Sequence, residues 1–196
     1  IFSLPQRQDV PVFGVITRLA YQKGIDVFCA ALEKSLPVDD YQHIIIGAGE
    51  NWIQDWLNSL ASRHPTKLAV YIGYSRDSLA HILEAGSDFY VMPSRYEPCG
   101  LNQMYSMAYG TLPIVRATGG LDDTVHNFNP NDIPGSTGFK LWDLNADSLL
   151  NTMRWAADTY HKNPWAVEQM RKNGMRKDFS WNHTAAEYER LYEDAH

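Results

Sequence analysis

The sequence predicts an α/β fold: a Rossmann-like, doubly wound domain on a mainly parallel sheet. Two observations carry that expectation. Five short runs are β-branched and nearly all apolar, the composition of strands buried on both faces of a parallel sheet. Amphipathic stretches lie between them, and a βαβα order implies right-handed crossovers.

The first strand is expected at 10–17 ("VPVFGVIT") and the first helix at 24–35, opened by Gly24 and Asp26. "HIIIGAG" (43–49) gives the second strand, and 50–63 the helix after it. "LAVYIGY" (68–74) is the third strand, with a helix at 75–85. "DFYVMPS" (88–94) is the fourth. After it, Leu101, Met104, Tyr105 and Ala108 recur at i, i+3, i+4 and i+7, which predicts a helix at 101–109 with those residues on its apolar face. Gly110 stands where a helix end calls for a left-handed residue. "LPIVRA" (112–117) is the fifth strand, and 129–138 ("NPNDIPGSTG") is a Pro/Gly-rich loop. From about 147 to 196 the pattern is helical only, interrupted by Pro164 and Gly174, and its Met and Trp residues read as core and interhelix packing. No internal repeat or low-complexity tract occurs, so residues 1–196 are expected to form one domain.

Bulk composition excludes several classes. A net charge of −6, from 17 basic and 23 acidic residues, argues against a nucleic-acid or anionic-membrane surface. No apolar stretch approaches the ~20 residues that span a bilayer. Cys29 and Cys99 make neither a metal cluster nor a disulfide framework, which suits a reducing cytosol or an organelle stroma. Asn182-His183-Thr184 is a chance glycosylation triplet unless the protein is secreted. "IFSLPQRQD" lacks an initiator Met and signal-peptide features and reads as the interior of a longer protein.

The residues able to carry chemistry gather at strand ends. "PSRYEPCG" places Glu97, Pro98, Cys99 and Gly100 between the fourth strand and its helix, where open α/β sheets bind ligands. Glu97, flanked by Pro98 and Gly100, is expected to point outward and accept sugar or ribose hydroxyls; as a helix-terminal acid it would serve only the macrodipole. Cys99 is either a thiolate nucleophile or a small residue lining a cavity, and no histidine nearby in sequence supports the first. Arg18 and Lys23 in "TRLAYQKG" bracket the loop after the first strand; they can converge on a diphosphate or stand as solvated charges. Tyr74 can stack on a nucleobase or pack at the core rim. Thr118, Gly119, Gly120 and Leu121 offer bare backbone amides to an anion or sugar, or form a turn before an acidic helix start at Asp122-Asp123. "GAGE" (47–50) is no dinucleotide fingerprint, because Trp52 occupies the third glycine position. No Asp-x-Asp pair occurs and the seven histidines lack zinc-ligand spacing, which disfavours metal-dependent chemistry.

Taken in order, "TRLAYQKG", "IGAGE", "IGY", "SDFYVMPSRYEPCGLNQMYSMAYGTLPIVRATGGLDDTV", "GF" and "DFSW" resemble the C-terminal half of the bacterial glycogen synthase and plant starch synthase family. The likeness spans essentially the whole chain and is most specific over 93–125. It implies the C-terminal domain of a GT-B glycosyltransferase. Such enzymes move glucose from ADP-glucose (UDP-glucose in some members) to the 4-hydroxyl at the non-reducing end of an α-1,4-glucan, with retention and without a metal or other cofactor. Carried over by motif, Arg18 and Lys23 hold the donor diphosphate and stabilise departing ADP, and Glu97 orients the glucose. Cys99, Gly100, Leu101 and Asn102 lie along glucose and phosphates, and Tyr74 faces the adenine. Many retaining relatives carry a second glutamate eight residues after the first; Tyr105 stands there, as in the starch and glycogen synthase branch. The family's Lys-x-Gly-Gly-Leu loop and acceptor-side histidine, both in its N-terminal domain, are absent; "ATGGL" (117–121) lacks the lysine. The chain is therefore expected to be the donor-binding half of an enzyme, inactive alone, in the cytoplasm of a bacterium or the plastid stroma of a plant or alga. A stand-alone nucleotide- or glucan-binding module is the competing reading, and an upstream Lys-x-Gly-Gly-Leu segment would decide against it. An NAD-dependent oxidoreductase would need a Gly-x-Gly-x-x-Gly where "RLAYQKG" stands.

Overall fold

The computed structural model describes residues 2–74 and 77–195. Ser75 and Arg76, at the start of the third expected helix, lie outside the described residues, as do the side chains of Asn182-His183-Thr184. The strands are β1 (Val12–Ile16), β2 (Gln42–Gly47), β3 (Leu68–Ile72), β4 (Phe89–Met92), β5 (Leu112–Arg116) and β6 (Phe139–Leu141). The helices are α1 (Ile25–Ser35), α2 (Asn51–Arg63), α3 (Asp77–Gly86), α4 (Asn102–Ala108), α5 (Gly119–Thr124), α6 (Ala146–Lys162), α7 (Pro164–Met175) and α8 (Trp181–Asp194).

The strands form one sheet in the order β3-β2-β1-β4-β5-β6, and every neighbouring pair is parallel. This is the doubly wound fold expected. Each expected strand loses one or two residues at its carboxyl end, because those residues leave the ladder to build loops. β6 was absent from the expectation: three residues behind a Pro/Gly-rich loop make no recognisable apolar run. The winding reverses at β1, which pairs with β2 on one side and β4 on the other. At such a switch point the crossovers leave in opposite directions and open a crevice beyond the strands' carboxyl ends.

Phe13, Val15, Ile45, Phe89, Val91, Ile114 and Phe139 are at most 1% exposed and form one core with residues of α1, α2, α6 and α7. Pro164 starts α7 rather than breaking a longer helix, and Gly174 lies inside α7 against Met107. Gly110 ends α4 at φ +82°. The apolar face expected for α4 is the wrong one. Gln103, Ser106 and Met107 are buried, whereas Leu101, Tyr105 and Ala108 are exposed. The physical reason is a polar interior: Gln103 Nε2 donates to the carbonyls of Cys99 and Gly100 and to Thr124 Oγ1, tying α4 to the loop before it and to α5. The tryptophans of the last third likewise correct the packing expectation. Trp142, Trp165 and Trp181 are more than 60% exposed and Trp155 is 36% exposed.

One core residue makes stability acid-sensitive. His43 is 1% exposed, packed among Phe13, Phe28 and Tyr41, and neither ring nitrogen has a hydrogen-bond partner among the described residues. Burial, and then the Lys67 charge, push its pKa down to about 3. The unfolded chain therefore takes up this proton first. Stability from the neutral ring is complete above the unfolded value near 6.5 and falls as pH drops toward 3. At ~1.4 kcal/mol per pH unit, urea unfolding should show about 2 kcal/mol lost to this group between pH 7 and 5. His43→Leu is expected to flatten that slope; an unchanged slope would show that the acid sensitivity lies elsewhere.

Candidate active site

Two segments meet beyond the carboxyl ends of β1 and β4. After β1 the chain enters a 3-10 turn, Tyr21–Lys23, closed by the Gly24 amide donating to the Tyr21 carbonyl at 3.0 Å. Gly24 has φ +67°, and a Cβ there would stand 1.9 Å from the Pro93 carbonyl oxygen. Only glycine lets this turn lie directly on the end of β4.

Polar contacts lock the turn to the 93–97 loop. The Arg95 amide donates to the Gln22 carbonyl at 2.9 Å, and Gln22 Nε2 to the Tyr96 carbonyl at 2.8 Å. The Arg95 guanidinium grips Asp26 through two bonds of 2.6 and 2.8 Å, donates to the Tyr21 carbonyl and lies 3.3 Å from the Tyr21 ring centroid. Arg116 donates to the Arg95 carbonyl in turn. Glu50 holds the other side: its Oε1 accepts from the Tyr21 amide at 2.8 Å and its Oε2 from Trp52 Nε1 at 2.7 Å. A planar, permanently charged guanidinium suits such multipoint bracing.

The clamp brings Lys23 Nζ to 2.6 Å from Glu97 Oε2, which also accepts from Ser94 Oγ at 3.1 Å. The two side chains are 23% and 10% exposed. Glu97 thus does not point outward; the cation and the hydroxyl turn it into the crevice. Next to this pair lies a cavity of about 40 Å³ lined by Thr17, Lys23, Pro93, Ser94 and Asn102 among others. Arg18 is exposed on the same loop, with Nη2 donating to Gln22 Oε1 at 3.0 Å.

The start of α4 is anchored rather than free. Asn102 Nδ2 donates to Tyr90 Oη at 2.9 Å and to Glu84 Oε1 at 3.2 Å. Tyr90 Oη donates to the Ile16 carbonyl and accepts from the Ile16 amide, joining β4 to β1. Burial raises the pKa of both the Tyr90 phenol and the Glu84 carboxyl, with His81 opposing it at Glu84. The Asn102 side chain therefore faces the interior. Cys99 and Leu101 are exposed, and Gly100 takes φ +70°.

Of the 118–121 segment, Thr118 is half-buried and Gly119 exposed at the start of α5. Gly120 is not bare: its amide donates to the carbonyls of Glu97 at 3.0 Å and Pro98 at 3.3 Å, so α5 braces the Glu97 corner. Leu121 donates to the Thr118 carbonyl. Asp122 lies in the first turn and pairs with Lys140 at 2.6 Å. Tyr74 is 92% exposed and does not pack at the core rim. It follows β3, two strands from β1, which is roughly 10 Å across the sheet.

Arg18, Lys23, Glu97, Cys99, Gly100, Leu101 and Gly119 thus gather around one corner, with Tyr74 set to one side. Ser94, Arg95, Glu50, Tyr90 and Glu84 were not singled out from sequence. Ser94 and Arg95 lie inside the same "PSRYEPCG" stretch, and their proximity to Glu97 was the available signal. Glu50, Tyr90 and Glu84 owe their place at the site to partners 12 to 74 residues away, which no local pattern reveals.

An all-parallel sheet with a partly buried cation–carboxylate pair at its switch point defines a Rossmann-like α/β domain with a polar crevice. The model of the family "Glycosyl transferases group 1" matches residues 1–175. The chain belongs to that family, in the branch of the bacterial glycogen synthases and plant starch synthases. It is 49% identical over 191 residues to glycogen synthase 1 of Geobacter sulfurreducens, covering 97% of this chain and 38% of that protein. It is 44% identical to soluble starch synthase 1 of Oryza sativa subsp. japonica, with 97% of this chain and 30% of the relative aligned. Among solved structures, the catalytic domain of starch synthase IV from Arabidopsis thaliana, bound to ADP and acarbose, superimposes with a TM-score of 0.87. That structure is 30% identical and the match covers 98% of this chain and 40% of it. The chain therefore spans about two fifths or less of these relatives.

Proposed function

We propose that the chain is the donor-binding half of a glucan synthase. The complete enzyme transfers glucose from ADP-glucose to the 4-hydroxyl at the non-reducing end of an α-1,4-glucan, with retention. The observation that carries this reading is the Lys23–Glu97 pair, held at 2.6 Å in the switch-point crevice.

In this reading, Lys23 and Arg18 take the donor diphosphate, and the arriving anion competes with Glu97 for the Lys23 ammonium. Glu97 then turns its acceptor capacity to the glucose hydroxyls, as a carboxylate with several lone-pair sites can. As the glycosidic bond breaks, charge grows on the diphosphate, and the preplaced cations stabilise it without reorganising. Cys99, Gly100 and Leu101 line the donor, Gly119 offers its amide, and Asn102 acts through its Tyr90 and Glu84 anchors. Tyr74 meets the adenine. The acceptor side comes from an N-terminal domain, so this half alone turns over nothing. Among the described residues no helix is long and apolar enough to cross a membrane, and a cytoplasmic or plastid-stromal setting follows the source.

Calorimetric titration with ADP, ADP-glucose and UDP-glucose, paired with a maltoheptaose elongation assay, tests this. We expect weak ADP binding, preference for ADP-glucose over UDP-glucose, and no elongation by the chain alone. Absence of nucleotide binding would favour a glucan-binding module, and elongation by the chain alone would refute the half-enzyme reading.

A further inference from the structure

An aromatic groove lies away from this corner. α6 leaves β6 at the carboxyl edge of the sheet and runs back toward the amino edge. The 129–138 loop feeds β6 from that amino edge. Between this loop, the end of α6 and the start of α7 opens a groove of about 320 Å³. Trp155 forms part of its wall, fixed by Phe128 at 5.7 Å and Phe139 at 5.0 Å between ring centroids, yet 36% exposed. Trp165, on the first turn of α7, stands at the mouth and is 63% exposed.

Trp155, Asp158 and Lys162 recur at i, i+3 and i+7, so one face of α6 carries an aromatic ring followed by a polar edge. Asp158 and Lys162 pair at 2.9 Å, which leaves that edge polar but without net charge. The Asn163 side chain does not cap α7 and is free among the described residues to bond a ligand. A tryptophan held rigid by its neighbours and left exposed offers an apolar face at little entropic cost. Glucose in α-1,4 linkage has the complementary shape, with C–H faces to stack and a hydroxyl rim to bond. A nucleotide or other anion would require net positive charge, which this edge lacks.

We propose that this groove binds a segment of α-1,4-glucan as a second, non-catalytic hold on the polymer. The choice of an α-glucan among neutral carbohydrates rests on the function proposed above. A long acceptor held at the edge opposite the donor crevice stays at high effective concentration near the reacting end.

Native electrophoresis of the 196-residue chain through gels with and without glycogen tests this, together with titration of tryptophan fluorescence by maltoheptaose. The chain should be retarded by glycogen. Trp165→Ala should abolish retardation and weaken maltoheptaose binding about tenfold, and Trp165→Phe should restore part of it. Lys23→Ala should be retarded like the parent, because the donor crevice is elsewhere. An unretarded parent chain, full retardation of Trp165→Ala with an unchanged melting curve, or loss of retardation in Lys23→Ala would each overturn the proposal. An ADP-glucose titration separates the two readings. Glucan held through Trp165 without nucleotide binding removes the synthase reading alone, whereas nucleotide binding without retardation removes the groove alone.

Discussion

With the acceptor domain present, Lys23→Ala is expected to lower kcat on the order of a hundredfold while changing the donor KM far less. The diphosphate gains negative charge as the bond to glucose breaks, so a fixed ammonium binds the transition state more tightly than the ground state. One such contact is worth about 3 kcal/mol in a water-poor site. Lys23 is suited to this because it is only 23% exposed and is braced by its turn before any ligand arrives. Arg18→Ala should show a smaller loss of the same kind, since that side chain is exposed. Glu97→Ala should also lose rate, through misplaced sugar and an unpaired Lys23, and Glu97→Gln should recover part of it by keeping the Ser94 hydrogen bond. Steady-state kinetics over a range of ADP-glucose concentrations decide the matter. A Lys23→Ala enzyme with normal kcat and a raised KM would make Lys23 a uniform binding residue and end its catalytic assignment.

Gly120→Ala is expected to disrupt the corner with a single methyl group. The added Cβ would fall 2.0 Å from the Cys99 carbonyl oxygen and 2.6 Å from both its carbonyl carbon and Cα. All three are backbone atoms, so no side chain can swing aside. The 97–99 loop must instead lift off α5, breaking the bonds from the Gly120 amide to the Glu97 and Pro98 carbonyls. Overpacking of this kind costs about 1–3 kcal/mol, and the lost hydrogen bonds add roughly another 1 kcal/mol. Denaturant unfolding should show the unfolding free energy lowered by that amount, as a lower midpoint with the m-value unchanged. Nucleotide affinity should fall further than stability, because the displaced loop carries Glu97 away from Lys23. A variant with wild-type midpoint and wild-type ADP affinity would show that α5 does not brace the corner.

The sequence was most legible where the pattern is local. β1 to β5 are short apolar runs, and their alternation with amphipathic segments is enough to imply a parallel, doubly wound sheet. Gly24 and Gly110 announce the turns that need positive φ. The stretch 93–102 could be placed at a strand-to-helix corner because its glycine, proline and acid interrupt two apolar runs. These features depend on neighbours within a few residues, where period and turn chemistry act.

What sequence could not decide depends on partners distant in the chain. Glu97 is turned inward by Lys23, 74 residues before it, and Gly120 spends its amide on that same corner from the next crossover. α4 buries Gln103 and Ser106 instead of its apolar stripe because loop carbonyls and Thr124 await them. β6 gains strand geometry only by lying against β5. Residue order by itself determined the fold class, the family likeness and the place of the corner, because those follow from local period and motif. Only the tertiary structure decided which carboxylate meets which cation, which helix face is buried and which tryptophans stay exposed. Those outcomes turn on pairings across the sheet's switch point, where the satisfaction of each buried polar group depends on chain that arrives from elsewhere.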